Sequence, residues 1–330
     1  MLRELLAEGH VLLADGATGT NYFAMGLANG EPPEIWNFEE PGKVAALHDA
    51  FIAAGADIVL TNTFGGNARR LALHGLEGRV GEVNARAAAI ARGCADRAGR
   101  RVVVAGSVGP TGDLFAPLGP LTEDEATVIF AAQMRGLREG GADLAWIETM
   151  SAAEEMRAAA RAAASVGMPF AITGSFDTAG RTMMGLTPEA FAQFASGLDP
   201  APEAFGANCG VGASDLLLSL TAMRAAAPGA ALIAKANAGV PQWHGDHVHY
   251  SGSPALMADY AALARDAGAS IVGGCCGTAP EHLAAMRRAL DEAPRRAPPD
   301  LAAILAATGP LASPPRAEGA GDERRARRRH

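Results

Sequence analysis

Cys275 and Cys276 stand side by side in the run Ile271-Val272-Gly273-Gly274-Cys275-Cys276-Gly277-Thr278, after an apolar stretch of β type and before Pro280. Consecutive strand residues point to opposite faces, so both sulfurs reach one point only where the strand has ended and turned, which the flanking glycines permit. A shared metal ion is the simplest cause of such convergence, because Zn²⁺ takes thiolates tetrahedrally at about 2.3 Å from distant parts of a chain. Cys209 offers a third thiol at the end of another apolar run, Phe205-Gly206-Ala207-Asn208-Cys209-Gly210. Three protein thiolates leave the fourth position open, as in a catalytic rather than a structural zinc site. Zinc held this way activates water poorly compared with His-ligated zinc, but it keeps an incoming sulfur ionised at neutral pH. The expected guest is a thiol.

The elements that must position these thiols repeat a simple rhythm. Short apolar runs at 10–14, 57–60, 102–105, 143–147, 170–174, 204–207, 232–235 and 270–273 alternate with helical patterns at 41–54, 80–97, 123–140, 152–164, 188–196, 214–226, 254–267 and 280–291. Val44, Leu47 and Phe51 show the spacing of one amphipathic face, stopped by Gly55. Eight strand-helix units predict an α/β fold of the (β/α)₈ TIM-barrel type, in a domain spanning 1–295, with an open doubly wound sheet as the alternative. In a barrel the chemistry lies at the C-terminal ends of the strands. Those ends carry Asp15, Asn62, Glu148, Asn208, Cys209, Asn237, Cys275 and Cys276. All three clustered thiols therefore share one rim with two carboxylates, Asp15 and Glu148, which suit an ammonium group. A thiol joined to an ammonium describes an amino-acid thiol, whose carboxylate the glycine loop after Asp15 could receive.

Several stretches, in chain order, resemble the zinc-dependent homocysteine S-methyltransferases. They are Asp15-Gly16-Ala17-Thr18-Gly19-Thr20, Thr61-Asn62-Thr63-Phe64, Ile147-Glu148-Thr149, Asn208-Cys209-Gly210, Asn237-Ala238-Gly239-Val240-Pro241 and Val272 to Thr278. Cobalamin-dependent methionine synthase and betaine-homocysteine methyltransferase share that domain. The resemblance implies a barrel in which Cys209, Cys275 and Cys276 bind one zinc ion, homocysteine sulfur takes the open position, and Asp15 and Glu148 hold its amino group. Asn62 and Asn237 are further candidates, for substrate contact or equally for satisfying loop backbone, and methionine is the implied product. On the donor side, Gly65 and Thr149 stand where betaine enzymes carry tyrosines, leaving Trp36 as the candidate aromatic. The expected donor is methylcobalamin on a separate protein docking at the rim, with betaine or S-methylmethionine as alternatives.

Other classes explain less. A phosphate-binding barrel lyase would use the glycines from Gly273 to Gly277, with Lys235 as a Schiff-base candidate, and leaves three thiols without a role. A zinc-binding scavenger gives none to Asp15 or Glu148. The net charge of −8 argues against a nucleic-acid partner, and no run approaches the ~20 apolar residues of a membrane span, so a cytoplasmic location is expected. Four cysteines in 330 residues are too few for a disulfide framework, and Cys94, in Ala-rich helical sequence, reads as a buried small hydrophobe. His244, His247 and His249 read as part of a flexible loop over the rim rather than as a second metal site. The Pro/Ala/Arg-rich stretch 296–330 is expected to be a disordered tail.

Overall fold

The computed structural model describes residues 1–244 and 247–315, with side chains for all of these except 241, 243, 244 and 247–249. Eight parallel strands form the barrel: β1 (Leu12–Leu13), β2 (Ile58–Leu60), β3 (Val103–Val108), β4 (Leu144–Met150), β5 (Phe170–Gly174), β6 (Ala204–Cys209), β7 (Leu232–Ala236) and β10 (Ala269–Gly274). The order around the sheet is β1-β10-β7-β6-β5-β4-β3-β2. Closure comes from Asp57 N–H donating to Leu13 O (2.6 Å) and Asp15 N–H to Ile58 O (2.9 Å), so no edge is left unpaired at that seam. The barrel expectation holds, and the open-sheet alternative falls with this closure.

Two apolar layers follow from the period-two alternation of strand side chains. Leu12, Ile58, Leu60, Val103, Leu144, Trp146, Ile233 and Ile271 fill the interior, and Leu2 and Leu5 of the helix Leu2–Ala7 pack against this cluster. Their neighbours Leu13, Val59, Val104, Ala145, Ile147 and Val272 face outward under the helices. Proline at the first turn opens Pro41–Ala53, Pro188–Ser196, Pro254–Asp266 and Pro280–Glu292, where its missing N–H costs nothing. Thr122 and Glu125 cap Glu123–Glu139 reciprocally. Among the described residues, no helix is long and apolar enough to cross a membrane.

The wall between β6 and β7 is tight at Gly206, where an added Cβ would lie 1.9 Å from Ile233 O. Gly206→Ala is therefore expected to destabilise the barrel by ~3 kcal/mol, as overpacking of a filled interior does. A urea midpoint equal to that of the unsubstituted protein would contradict this reading of Gly206.

Two stretches hold elements beyond those expected. The stretch with His244, His247 and His249, read as part of a flexible loop over the rim, belongs to an antiparallel hairpin of β8 (Pro241–His244) and β9 (His247–Tyr250). The side chains of His244, His247 and His249 lie outside the described residues. Within the stretch expected as a disordered tail, Leu301–Thr308 is a helix capped by Asp300, whose Oδ1 accepts from Ala303 N–H at 2.8 Å. The apolar run Leu301-Ala-Ala-Ile304-Leu305 buries Ile304 against the barrel's outer helices. Asp215 then accepts from Ala312 and Ser313 N–H, both at 2.9 Å. Residues 316–330, with the Arg run, lie outside the described residues.

Candidate active site

Several strands change their inward face from apolar to polar at the C-terminal end. Alternation carries Leu144 and Trp146 on to Glu148, Val103 and Ala105 to Ser107, Ala204 and Gly206 to Asn208, and Ile233 to Lys235. The top interior layer is thus polar and buried, and the thiols stand above it. In register, Lys235 lies level with Asn208 on one side and Gly273 on the other.

The sulfurs of Cys209, Cys275 and Cys276 all lie within 4.8 Å of one another, and the three residues are half-buried. Tetrahedral zinc with sulfur at about 2.3 Å sets sulfurs ~3.8 Å apart, which lies inside that limit. Their placement rests on turns. Cys209 has φ 61° and Gly210 φ 75°, a left-handed pair that turns the end of β6 over the barrel mouth. Asn237 clamps the two thiol-bearing loops together, its Nδ2 donating to Gly210 O (2.7 Å) and its Oδ1 accepting from Cys276 N–H (3.0 Å). Asn208 Nδ2 donates to Cys275 Sγ at 3.8 Å. Hydrogen bonding with Cys209, Cys275 and then Tyr250 pulls the Cys276 thiol down, while hydrogen bonding to Cys275 and Cys276, and burial, push Cys209 up. One thiolate therefore forms at its neighbours' expense, and a divalent cation is what would let all three ionise together. The donor set fits a metal.

Below the thiols lie the two carboxylates. Asp15 has no exposed surface; its Oδ2 accepts from Leu60 N–H at 2.7 Å and its Oδ1 from Lys235 Nζ at 2.8 Å. Lys235 reaches it from β7 by passing over β10 at Gly273, where an added Cβ would lie 3.0 Å from Lys235 Cγ. Glu148 keeps 7% exposure, and its Oε1 accepts from Ser107 Oγ at 2.5 Å. Thr149 follows with φ 62°, a conformation that a β-branched residue rarely takes, where the β4–β5 register shifts. Asn208 holds that turn, accepting from Thr149 N–H (2.8 Å) and Thr173 Oγ1 (2.7 Å) and donating to Thr149 Oγ1 (2.8 Å). The bend is what aims Glu148 at the mouth.

Burial pushes Glu148 up to about 7, against the opposing pull of Lys235. Between the ordinary carboxylate range and that value, the folded protein holds a proton that the unfolded chain has lost. The group's contribution to stability is therefore full at acid pH and fades as pH rises through about 7. From about pH 5 to about pH 8, the metal-free protein is expected to lose stability more steeply than Glu148→Gln. Parallel stability-pH curves for the two would count against this environment.

The remaining expected residues fall differently. Asn62 Nδ2 is committed to Pro33 O (2.7 Å) and Asn37 Oδ1 (3.2 Å), so it ties down the segment around Trp36. Trp36 is buried against Tyr22, ring centroids 5.3 Å apart, with Lys43 Nζ 4.5 Å from the ring centroid. At Gly65, an added Cβ would meet Glu34 Oε1 at 3.0 Å, and that carboxylate accepts from Gly65 N–H. Sequence reasoning missed Ser107, the organising part of Asn208, and Tyr250, and took Lys235 only as a Schiff-base candidate. For Ser107 and Lys235, strand parity counted from the apolar interior residues was the available signal.

The family model for homocysteine S-methyltransferases matches residues 12–290. Among solved structures, the chain is similar to the homocysteine methyltransferase MmuM from Escherichia coli. To its oxidised form it is 23% identical, covering 87% of this chain and 99% of that one with a TM-score of 0.72. To its metallated form it is 24% identical, covering 87% and 98%, again with a TM-score of 0.72. The matched span contains every barrel strand and all three clustered thiols, and the chain belongs to the homocysteine S-methyltransferase family.

Proposed function

We propose that this protein is a zinc-dependent enzyme that methylates the sulfur of homocysteine to give methionine, with Cys209, Cys275 and Cys276 as the metal ligands. The observation that carries the proposal is the convergence of three thiols on the strand-end rim of the barrel that also bears Asp15 and Glu148. A bound zinc ion supplies the Lewis acidity that keeps an incoming thiol ionised. The protein's own residues do the rest. Glu148, the carboxylate that reaches the mouth, accepts from the substrate ammonium, with Ser107 fixing its orientation. Asn237 and Asn208 hold the thiol loops in place. In the transfer an S–CH₃ bond forms as the donor's bond to that methyl breaks, and the substrate thiol gives up its proton to solvent.

For the donor, we favour methylcobalamin carried by a separate protein. Trp36 is buried, and Gly65 and Thr149 carry no ring, so none of these three positions supplies a member of the aromatic cage that a quaternary ammonium needs. Phe64, Leu114, Leu118, Met183, Met184 and Val240, all exposed, lie in segments that follow the C-terminal ends of strands, and exposed apolar side chains around a mouth suit a docking protein.

The test is methionine formation by the zinc-loaded protein from homocysteine with methylcobalamin, betaine or S-methylmethionine in parallel. Turnover with methylcobalamin and none with betaine is expected. Turnover with S-methylmethionine alone would remove the donor assignment and leave the acceptor standing, whereas no methionine with any donor would defeat the proposal.

A further inference from the structure

Lys235 occupies a singular place. It is the one ammonium built into the floor of the site, fully buried, 2.8 Å from Asp15 Oδ1 and 3.2 Å from Asp15 O, with Trp146 beneath at 5.8 Å from its ring centroid. β7 lies between β6 and β10, the two strands that end at the thiols, so Lys235 sits directly under the metal ligands. Its path to β1 needs Gly273, because a side chain there would meet both the Lys235 stem and Ala14 Cβ at 3.0 Å. Asp15 spends one oxygen on Leu60 N–H and the other on Lys235, and no part of it reaches solvent. Glu148 has no such cation partner within ion-pair distance among the described residues and retains an exposed edge.

We infer that Lys235 acts as a built-in ammonium that occupies Asp15, making Asp15 a positioning group and leaving the amino group of the thiol substrate to be read by Glu148 alone. The inference rests on the homocysteine reading above and refines it. The pair Asp15–Lys235 is neutral as a unit, so Glu148 is the floor carboxylate left to receive a substrate ammonium. Lys235 thereby sets how strongly the enzyme depends on that ammonium. Freed of Lys235, Asp15 would turn to the substrate as a second carboxylate, and the dependence would rise.

The experiment measures binding of homocysteine and of 4-mercaptobutanoate, the same thiol lacking the amino group, to zinc-loaded protein by titration calorimetry. The unsubstituted protein is expected to prefer homocysteine by about ten- to a hundredfold, the worth of one hydrogen bond to a charged group. Glu148→Gln is expected to abolish the preference. The neutral pair Asp15→Asn/Lys235→Met is expected to keep it, and Lys235→Met alone to increase it by about tenfold. A purely structural Lys235 would not move this ratio. Should Lys235→Met fail to fold, the neutral pair and Glu148→Gln still decide. Loss of the preference in the neutral pair, or its survival in Glu148→Gln, would overturn the assignment while homocysteine binding stood. Failure of the unsubstituted protein to bind either thiol would defeat the homocysteine reading and this inference with it.

Discussion

Alanine in place of Cys209, Cys275 or Cys276 is expected to lower zinc affinity by more than about a hundredfold and to abolish methionine formation, with the barrel intact. Even outer-shell partners of a metal site are worth about 10- to 100-fold, and a lost thiolate ligand is worth more. The fold is spared because the thiols contribute little to it. None of the three belongs to an apolar cluster, and all sit half-buried on the rim. The main-chain bonds that build the turn survive the substitution, since Cys275 N–H still donates to Ala236 O (2.7 Å) and Cys276 N–H to Asn237 Oδ1 (3.0 Å). Zinc competition against a chelator, with a urea midpoint measured on the metal-free protein, separates the two effects. Full activity in Cys276→Ala would remove it from the ligand set, and a collapsed urea midpoint would show that the thiols hold the fold.

Lys235→Met is expected to destabilise the protein by about 3–5 kcal/mol, the cost of leaving one member of a buried ion pair without the other. Both partners are buried, so in the substrate-free protein nothing replaces the lost ammonium at Asp15. Asp15→Asn together with Lys235→Met should recover most of the loss. An asparagine keeps an acceptor for Leu60 N–H, and methionine fills the lysine stem's path over Gly273. Urea midpoints of the single and double variants, compared at constant m-value, check this. A single variant within about 1 kcal/mol of the unsubstituted protein would show that solvent or a neighbouring group relieves the pair.

The barrel and its thiols were legible for one reason: period and termination are local properties. Each apolar run ended in a polar or glycine-containing loop, and three thiols at those ends are brought together by the fold. What was illegible depended on which strands become neighbours. Nothing local says that the side chain of Lys235 crosses β10 at Gly273 to reach Asp15, 220 residues away. Nor does sequence decide between substrate contact and loop backbone for Asn237 and Asn62, whose side-chain amides both donate to backbone carbonyls. The hairpin at β8–β9 was within reach, since two short runs separated by two residues are a hairpin pattern. The helix Leu301–Thr308 was hidden by its Pro-rich flanks, although Asp300 before an apolar run is a helix-start signal.

The most direct test of the central claim is zinc-edge X-ray absorption on the loaded protein with and without homocysteine. The account predicts three sulfurs at about 2.3 Å and one lighter atom in the free enzyme, becoming four sulfurs when homocysteine is added. Fewer than three sulfurs at the start, or a sulfur count unmoved by homocysteine at saturation, would contradict it.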